Sequence, residues 1–387
     1  MASVEKRFRD GSTSWLARWR DPDGKQRKRT FSRKVDADRF LTGVEADKLR
    51  GVYLGVDAGK VTFAEYAEQW LTSQTFDPST RQAVAIRLRL HALPVLGRHQ
   101  LRQVKPSTVQ AWLRGLDALA PSYRRVIYVN VSSIFTAAVD DELLVKNPCR
   151  APSVSRPKVE HRKVTPWERG QVSGVREALP DRYAILASLG AGLGLRQGEV
   201  FGLSPDDVDF LRGRVEVRRQ VKLFTSNRPV LALPKGRKTR TVPLPDSVRD
   251  ELAAYLARFP ARKVTLPWEQ EDGEPVTVPL VLTSRESKAM NRTYFNSRVW
   301  KPALVAAGVE PTRVNGCHAL RHFYASVLLD AGESIKAVSE YLGHSDAGFT
   351  LRVYTHLLPA SEGRTRRAVD AALDSTSCAP VVPRQAL

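Results

Sequence analysis

The sequence predicts a multidomain protein with a small α+β N-terminal domain (a three-stranded sheet plus one helix), an all-α domain, and a mixed α+β domain that is mainly helical. A chain of 387 residues is too long for one ordinary hydrophobic core. The glycine-rich "GVYLGVDAGK" and the proline-containing "NPCRAPSVSRPKVEHRKV" both have the composition of linkers. Apolar residues alternate before the first of these segments, follow helical spacing between them, and show both patterns afterwards. We therefore predict domains at residues 1–57, 61–149 and 165–374, with a linker at 150–164 and a disordered tail at 375–387.

The first domain is predicted to contain a β-hairpin followed by a helix. Residues 15–20 and 26–31 each alternate apolar and basic side chains, and "DPDG" between them is a strong turn signal. From Asp36 onward the apolar residues form a helical stripe.

The second domain is predicted to consist of four helices. Thr62 and Glu65 form a capping box ahead of "FAEYAEQWL". The second helix, in "STRQAVAIRLRLHALPVLG", is expected to stop at Pro94 and Gly97. The third is "KPSTVQAWLRGL", opened by Pro106, and the fourth follows in "PSYRRVIYVNVSSIFTAAVDDELL".

The third domain is predicted to mix helices and strands. Thr165 and Glu168 are expected to cap its first helix, and "DRYAILASLGAGLGLRQGEV" is an apolar helix that runs into a glycine turn. Strands are expected in "GRVEVRRQV" and "RKTRTVPL", with a hairpin loop at "LPKG". Further helices are expected to start at Asp246, Asn291 and His318.

The charge of the chain indicates a polyanionic partner. Lys and Arg number 61 against 41 Asp and Glu, which leaves a formal net charge of +20. Such an excess favours nucleic-acid binding. In the predicted sheet and helices the candidate DNA contacts are Arg18, Arg20, Arg27, Lys28, Arg29, Arg87, Lys105, Arg124 and Arg125. The alternatives are a basic oligomerisation module for the sheet and ordinary solvated charges for the helices.

Cysteine usage and hydropathy predict a cytoplasmic protein. Cys149, Cys317 and Cys378 are odd in number and far apart, so they suggest neither a disulfide framework nor a CxxC site. No apolar run follows the basic N-terminus as a signal peptide would require. The longest weakly polar run, residues 183–195, is too short to span a bilayer, so no membrane contact is expected.

Two cationic residues of the third domain are candidate functional residues. Arg196 is flanked by apolar residues in "GLGLRQGEVFGL", and burying it is costly unless an anion or carboxylate neutralises it. Glu199 lies one helical turn away, so the two could also form only a satisfied ion pair. Lys235 occupies the predicted hairpin loop, where a lysine is usually solvated.

A second set lies in "HALRHFYASVLLDAGESIKAVSEYLGHSDAGFTLRVYTHL". His318 and Arg321 are three residues apart and share one face of a helix. His344 follows Gly343, which is expected to end the preceding helix, and Tyr354 comes ten residues later.

Together these residue types suit phosphoryl transfer. Arginines that stay protonated can hold the non-bridging oxygens of the transition state, and histidine or lysine can move protons. A tyrosine phenol is a nucleophile that divides a phosphodiester exchange into two reversible steps. No carboxylate cluster suited to Mg²⁺ is present, so we expect a transesterification that needs no metal and no other cofactor.

A transition-metal site is the competing interpretation. Cys317, His318 and His322 are close together, and "HALRH" places two histidines at i and i+4. The glutamate of an HExxH motif is missing, and Arg321 would repel the metal.

The motifs resemble those of the tyrosine recombinases, specifically the phage-type integrases. The resemblance rests on "RQGEV", "HALRH", "LGHSD" and "YTHL", and it covers about residues 165–374. Residues 62–149 are similar to the core-binding domain of that family, and residues 1–57 to its arm-type DNA-binding domain. The implied catalytic residues are Arg196, Lys235, His318, Arg321, His344 and Tyr354.

The resemblance implies a role for each residue. Tyr354 would attack a scissile phosphate to give a 3′-phosphotyrosyl bond, and Lys235 would protonate the leaving 5′ oxygen. The remaining four catalytic residues would hold or assist the phosphoryl group, and Glu199 would brace the first arginine.

The resemblance also implies partners. These are double-stranded DNA with core-type and arm-type attachment sites, a homotetramer with a Holliday-junction intermediate, a DNA-bending host factor and an excision directionality factor. The implied function is integration of a phage or mobile element, and the implied location is the nucleoid of a bacterial host. A type IB topoisomerase, a dimer resolvase and a non-enzymatic DNA-binding protein are the alternatives. The basic N-terminal segment argues against the first two, and the intact Tyr354 argues against the last.

Overall fold

The computed structural model describes residues 2–9, 12–21, 24–50, 53–55, 57–159, 165–224, 226–344 and 346–354, together with 366, 369, 370 and 373. The chain divides into two compact units, Met1–His161 and Arg162–Leu387. Within the described residues, the first unit has two hydrophobic cores and the second has one. The order of sheet, helices and mixed elements confirms the predicted fold class. The domain limits and the disordered tail stay predictions, and the tail lies outside the described residues.

The N-terminal sheet is antiparallel, in the order β1 (Ser3–Arg9), β2 (Ser12–Arg20), β3 (Gln26–Phe31), and is followed by α1 (Lys34–Leu49). One face of the sheet packs against α1, and the first core consists of Ala17, Trp19, Ala37, Leu41 and Val44. The predicted hairpin is therefore present, and the three-stranded sheet followed by one helix is confirmed. Residues 22 and 23 of its turn lie outside the described residues.

The described part of the glycine-rich segment predicted as a linker forms hydrogen bonds near both of its ends. The Tyr53 hydroxyl donates a hydrogen bond to the Asp21 carboxylate at 2.8 Å. The Arg102 amide donates to the Gly59 carbonyl at 3.1 Å. Gly59 has φ +66°, and a Cβ there would lie 2.8 Å from the Leu143 carbonyl oxygen, so the turn requires glycine.

The second core lies among helices. They are α2 (Phe63–Ser73), α3 (Pro78–Arg87), α4 (Leu93–Leu96), α5 (Pro106–Arg114) and α6 (Pro121–Asp140). The predicted capping box of Thr62 and Glu65 is present. A π-helical stretch, Leu88–Ala92, joins α3 to α4, so Pro94 does not stop the helix as predicted. A wider turn relieves the clash between a proline ring and the preceding turn.

The second unit begins with α7 (Arg169–Ala178), α8 (Asp181–Leu193) and α9 (Gln197–Phe201). Five short strands follow: β4 (Val208–Asp209), β5 (Arg214–Val217), β6 (Gln220–Leu223), β7 (Pro229–Ala232) and β8 (Arg240–Pro243). Next come α10 (Asp246–Arg258), β9 (Arg262–Pro267) and β10 (Pro275–Leu280). The last described helices are α11 (Arg292–Phe295), α12 (Lys301–Ala306), α13 (His318–Asp330), α14 (Ile335–Leu342) and α15 (Ala347–Tyr354).

Two local predictions for this unit were wrong, and one strand pair was not predicted. Glu168, not Thr165, caps α7, because it forms the capping box with Gln171. The segment around Lys235 is not a hairpin loop, because β7 pairs with β6 and β8 pairs with β5, so the loop connects two sheets. The antiparallel β9–β10 pair was not predicted, since prolines at its strand ends masked the alternation.

Helix α8 is mostly buried and packs against α13 and α10. Two of its glycines allow the close contact. A Cβ on Gly190 would lie 2.9 Å from the Leu320 side chain, and one on Gly192 would overlap the Val248 side chain. Gly194 then ends the helix at φ +62°, directly before the segment that carries Arg196.

In the part of the chain that the structure describes, no helix combines the length and the apolar character needed to cross a membrane.

Candidate active site

A buried carboxylate shared by two arginines forms one wall of the site. Glu199 is 1% exposed and accepts from Arg196 Nη1 at 2.8 Å and from Arg240 Nη1 and Nη2 at 2.9 and 2.7 Å. Burial alone raises the pKa of Glu199, but the two arginines outweigh it and hold that pKa at about 2. One negative charge therefore serves two positive charges, and the cluster keeps a net positive charge.

Arg321, on α13, is fully buried, and its hydrogen-bond partners within the described residues are main-chain carbonyls. Its Nη1 donates to the Gly194 carbonyl at 2.7 Å, its Nη2 donates to the Leu342 carbonyl, and its Nε has no hydrogen-bond partner. No ion pair within 4.0 Å links it to an acid among the described residues. Burial, then the nearby charge of Arg196, lowers the pKa of Arg321 to about 9, so it remains a cation at neutral pH. An unpaired buried cation is a costly arrangement that an anionic ligand would relieve.

Three histidines lie beside this arginine. The ring centroids of His318 and His322 are 4.7 Å apart in an edge-to-face contact. His344 follows α14, whose C-cap is Gly343 at φ +62°, and its Nδ1 lies 2.8 Å from the Thr350 hydroxyl. Burial lowers the pKa of His318 and His344 to about 3 and that of His322 to about 4, and the charge of Arg321 adds to the effect in all three. All three imidazoles are therefore neutral at physiological pH.

Tyr354 closes the site from the end of α15. Its side chain is 1% exposed, and its hydroxyl lies 2.6 Å from His322 Nδ1. Burial raises the pKa of this phenol to about 12, although Arg321 and Arg196 oppose the shift. The phenol is thus protonated, and it lies within electrostatic range of both arginines.

Lys235 lies on the exposed loop between β7 and β8, with Gly236 at φ +86° and Arg237 at φ +58°. Its charge is among the causes that lower the pKa of His318, which places it near the site. The structure therefore brings all six predicted catalytic residues and Glu199 into one neighbourhood. Their catalytic roles stay predictions.

The basic side chains of the N-terminal sheet divide between its two faces. The register pairs Arg18 with Lys28, and side chains alternate along a strand, so Arg18, Arg20 and Lys28 share the face opposite α1. Arg27 and Arg29 lie on the α1 side. There Arg27 contacts Asp21 and Asp57, each at 2.6 Å, and Arg29 lies 5.2 Å from the Phe31 and Phe40 rings.

The predicted DNA contacts of the helices also differ in their surroundings. Lys105 and Arg125 are exposed, whereas Arg87 donates to the Asn130 side chain at 3.4 Å and Arg124 pairs with Asp117. None of these basic residues is excluded as a DNA contact by its position.

Sequence reasoning missed two contributors to the site. Arg240 is not singled out by its sequence context, yet it shares Glu199 and also donates to the Tyr341 carbonyl at 2.7 Å. His322 was considered only as a metal ligand, yet it contacts the nucleophile candidate Tyr354. The four-residue spacing from His318 indicated the correct helix face for His322 but not its partner.

The alternative metal ligands have other neighbours. Cys317 Sγ lies 3.7 Å from Asn296 Oδ1, and His322 contacts Tyr354. Within the described residues, no group of three or more His, Cys, Asp or Glu side chains is arranged to hold a metal ion.

Comparison with known proteins gives a family match over both units. Residues 173–361 match the phage integrase family, and residues 62–116 match the N-terminal SAM-like domain of phage integrases. The chain is 30% identical over 364 residues to the putative prophage phiRv2 integrase of Mycobacterium tuberculosis. That match covers 92% of this chain and 91% of the relative.

Solved structures are similar in fold. The Tn1549 transposon integrase in complex with transposon right end DNA gives a TM-score of 0.65 at 20% identity, over 81% of this chain and 99% of that chain. A lambda integrase tetramer bound to a Holliday junction gives a TM-score of 0.57 at 15% identity, over 88% and 96% of the two chains.

Proposed function

The chain belongs to the phage integrase family of tyrosine recombinases and is a site-specific DNA recombinase, and we propose that the pocket around Arg321 performs its transesterification through Tyr354. Tyr354 attacks the scissile phosphate and forms a 3′-phosphotyrosyl bond, with release of a 5′-hydroxyl. Exchange of strands proceeds through a Holliday junction. The outcome is integration of a phage or mobile element into a bacterial chromosome.

The observation that carries this proposal is a buried cation that has no acidic partner among the described residues and lies next to a buried phenol. Among the described residues, Arg321 has main-chain carbonyls as partners and an Nε without a partner, and Arg196 shares the Glu199 carboxylate with Arg240. A phosphodiester supplies the missing negative charge and accepts hydrogen bonds from both guanidinium groups. The same cations stabilise the charge that develops on the non-bridging oxygens in the transition state.

The other residues of the pocket complete the reaction. Neutral His318 and His344 donate hydrogen bonds to the phosphoryl oxygens, since burial keeps both uncharged. Lys235, on its exposed loop, protonates the leaving 5′ oxygen. Glu199 orients Arg196 through a contact that the phosphate does not need to displace.

The proposed partner is double-stranded DNA at two kinds of site. The second unit and the helices of the first bind core-type sites, and the face of the N-terminal sheet opposite α1, with Arg18, Arg20 and Lys28, binds arm-type sites. A homotetramer assembles on DNA, as the lambda integrase does in its Holliday-junction complex. Val369 and Leu373, beyond the nucleophile, are 49% and 74% exposed and are proposed to dock on a neighbouring copy. A DNA-bending host factor, an excision directionality factor and a location on the bacterial nucleoid belong to the same proposal.

The test is trapping of the covalent intermediate. The probe is a nicked duplex that carries the attachment-site core from the ends of the genetic element encoding the chain. Loss of the short strand beyond the nick prevents religation, so the adduct accumulates and is counted on a denaturing gel. Tyr354→Phe should abolish the adduct and leave DNA binding near normal, because the phenol oxygen forms the bond and its loss changes little packing.

Tyr341→Phe is the matched control. It removes another phenol close to the pocket and keeps the Tyr341 carbonyl that binds Arg240. This variant should form the adduct at the wild-type rate. An adduct that persists in Tyr354→Phe and disappears in Tyr341→Phe would reassign the nucleophile.

A further inference from the structure

The contact between His322 and Tyr354 distinguishes this histidine from its two neighbours. The Tyr354 hydroxyl lies 2.6 Å from His322 Nδ1, within the range of a strong hydrogen bond. His344 uses its own Nδ1 for Thr350, and His318 meets the His322 ring edge to face. Among the described residues, His322 is the imidazole that contacts the attacking oxygen.

The protonation states on the two sides of this contact are complementary. Burial keeps Tyr354 protonated, with a pKa of about 12, and keeps His322 neutral, with a pKa of about 4. A neutral imidazole with its proton on Nε2 offers Nδ1 as an acceptor, so the phenol donates. A phenol of this kind cannot attack a phosphate efficiently unless something removes its proton as the new bond forms.

We propose that His322 is a catalytic residue that orients the Tyr354 phenol and takes its proton during attack on the phosphate. This inference rests on the proposed function and adds a proton acceptor to it. In the forward step the phenol proton moves to His322 Nδ1, the tyrosine oxygen bonds to phosphorus, and the bond from phosphorus to the 5′ oxygen breaks. Lys235 protonates the departing oxygen. On resealing, the 5′-hydroxyl attacks phosphorus and gives its proton to Lys235, the bond from phosphorus to the tyrosine oxygen breaks, and the His322 imidazolium returns a proton to that oxygen.

The groups that face His322 set its basicity. His318 and Arg321 come from its own helix, α13, and Tyr354 comes from α15. Burial and the charge of Arg321 both disfavour the imidazolium. A bound phosphodiester opposes that charge, so His322 becomes a stronger base when the substrate is present. Proton acceptance is thus coupled to DNA binding.

Two substitutions separate proton acceptance from hydrogen bonding. In His322→Asn the amide oxygen can occupy the place of Nδ1 and accept the hydrogen bond, but it cannot take a proton. In His322→Phe the ring volume is kept and both properties are lost. The full-length variants are compared in single-turnover adduct formation on the nicked attachment-site duplex, after DNA binding and thermal unfolding have shown that each is folded. If His322→Phe does not fold, His322→Asn alone decides the question.

We expect both variants to slow adduct formation by roughly 10²–10⁴-fold, the range for loss of a general base. The defect of His322→Asn should then be rescued at least about tenfold by a trifluorotyrosine at position 354, because ring fluorines lower the phenol pKa and make a base less necessary. Arg321→Ala should show no such rescue, since its role concerns the phosphate oxygens.

A near-wild-type rate for His322→Asn would overturn the proposal and reduce His322 to a hydrogen-bond acceptor. Absence of rescue by trifluorotyrosine would also overturn it. Failure of the wild-type chain to form an adduct at Tyr354 would be a different result, because it would overturn the proposed function itself.

Discussion

Replacement of Glu199 by glutamine tests whether one carboxylate stabilises the two arginines of the pocket wall. Glutamine keeps the size of the side chain and part of its hydrogen bonding but removes the charge. Arg196 and Arg240 would then face each other with no counterion, and the Arg240 side chain is only 6% exposed. Breaking a buried pair in this way costs roughly 3–5 kcal/mol in other proteins.

The pKa of Glu199 gives an independent magnitude. A carboxyl group whose pKa falls from 4.5 in the unfolded chain to about 2 in the folded one contributes roughly 3 kcal/mol of stability at neutral pH. Because the folded-state pKa is the lower one, this contribution is complete above the unfolded pKa and is lost as pH falls from about 4.5 toward 2. At pH ~3 less than half of it should remain.

The assay is urea unfolding read by hydrogen exchange and mass spectrometry. Peptides from α8 report the free energy of unfolding of the second unit separately from that of the first. Glu199→Gln should lower it by about 3 kcal/mol at neutral pH, and the difference from wild type should shrink by about half near pH 3. The matched control is Glu177→Gln, at an exposed position in α7, which should change stability by less than about 0.5 kcal/mol.

A Glu199→Gln protein within about 1 kcal/mol of wild type at neutral pH would refute this reasoning. So would a difference that stays constant down to pH 3, since a charge-independent packing defect would then explain it.

Three further predictions concern DNA. Lys235→Ala should cleave ordinary DNA slowly but recover on DNA with sulfur in place of the bridging 5′ oxygen, because a thiolate leaves without an acid; rescue of Lys238→Ala instead would move the acid along the loop. Deletion of residues 1–57 should preserve core-site adducts and abolish integration, and loss of core cleavage in a folded truncation would contradict the arm-site assignment. DNA binding by the full-length chain should weaken steeply with salt in a gel-shift titration, because phosphate contacts release counterions. Truncation after residue 359 should preserve single-site binding and weaken tetramer assembly, measured by analytical ultracentrifugation on DNA, whereas unchanged assembly would place the C-terminal contact within one copy.

The sequence predicted the fold class well because its local signals agree with the structure. The capping box at Thr62, the helix breaker at Gly194 and the cap at Gly343 each act within a few residues, and each is present. Pro94 is the exception. Its helix-breaking signal is also local, but the chain accommodates the proline through a π-helical turn, which the composition does not predict.

The candidate site was predictable as a set of residues and not as a set of contacts. His322 and Tyr354 are 32 residues apart, and Arg240 and Glu199 are 41 apart. Their contacts depend on how α13 meets α15 and how β8 passes α9, which is tertiary packing. Helical spacing can place His318 and His322 on one face but cannot select the partner across from them.

The glycines of α8 make the spacing between helices part of the active-site design. Alanine is normally the better helix former by about 1 kcal/mol, so Gly190→Ala looks favourable from propensity alone. Here the added methyl would lie 2.9 Å from Leu320, the residue next to Arg321, and α13 would have to retreat. Such a shift would lengthen the hydrogen bond from Arg321 to the Gly194 carbonyl and carry His318 and His322 with it. Gly190 contacts no reacting atom, yet its lack of a side chain sets the distance between α8 and α13. The size of residue that this position accepts is therefore limited by the space that Leu320 of α13 leaves.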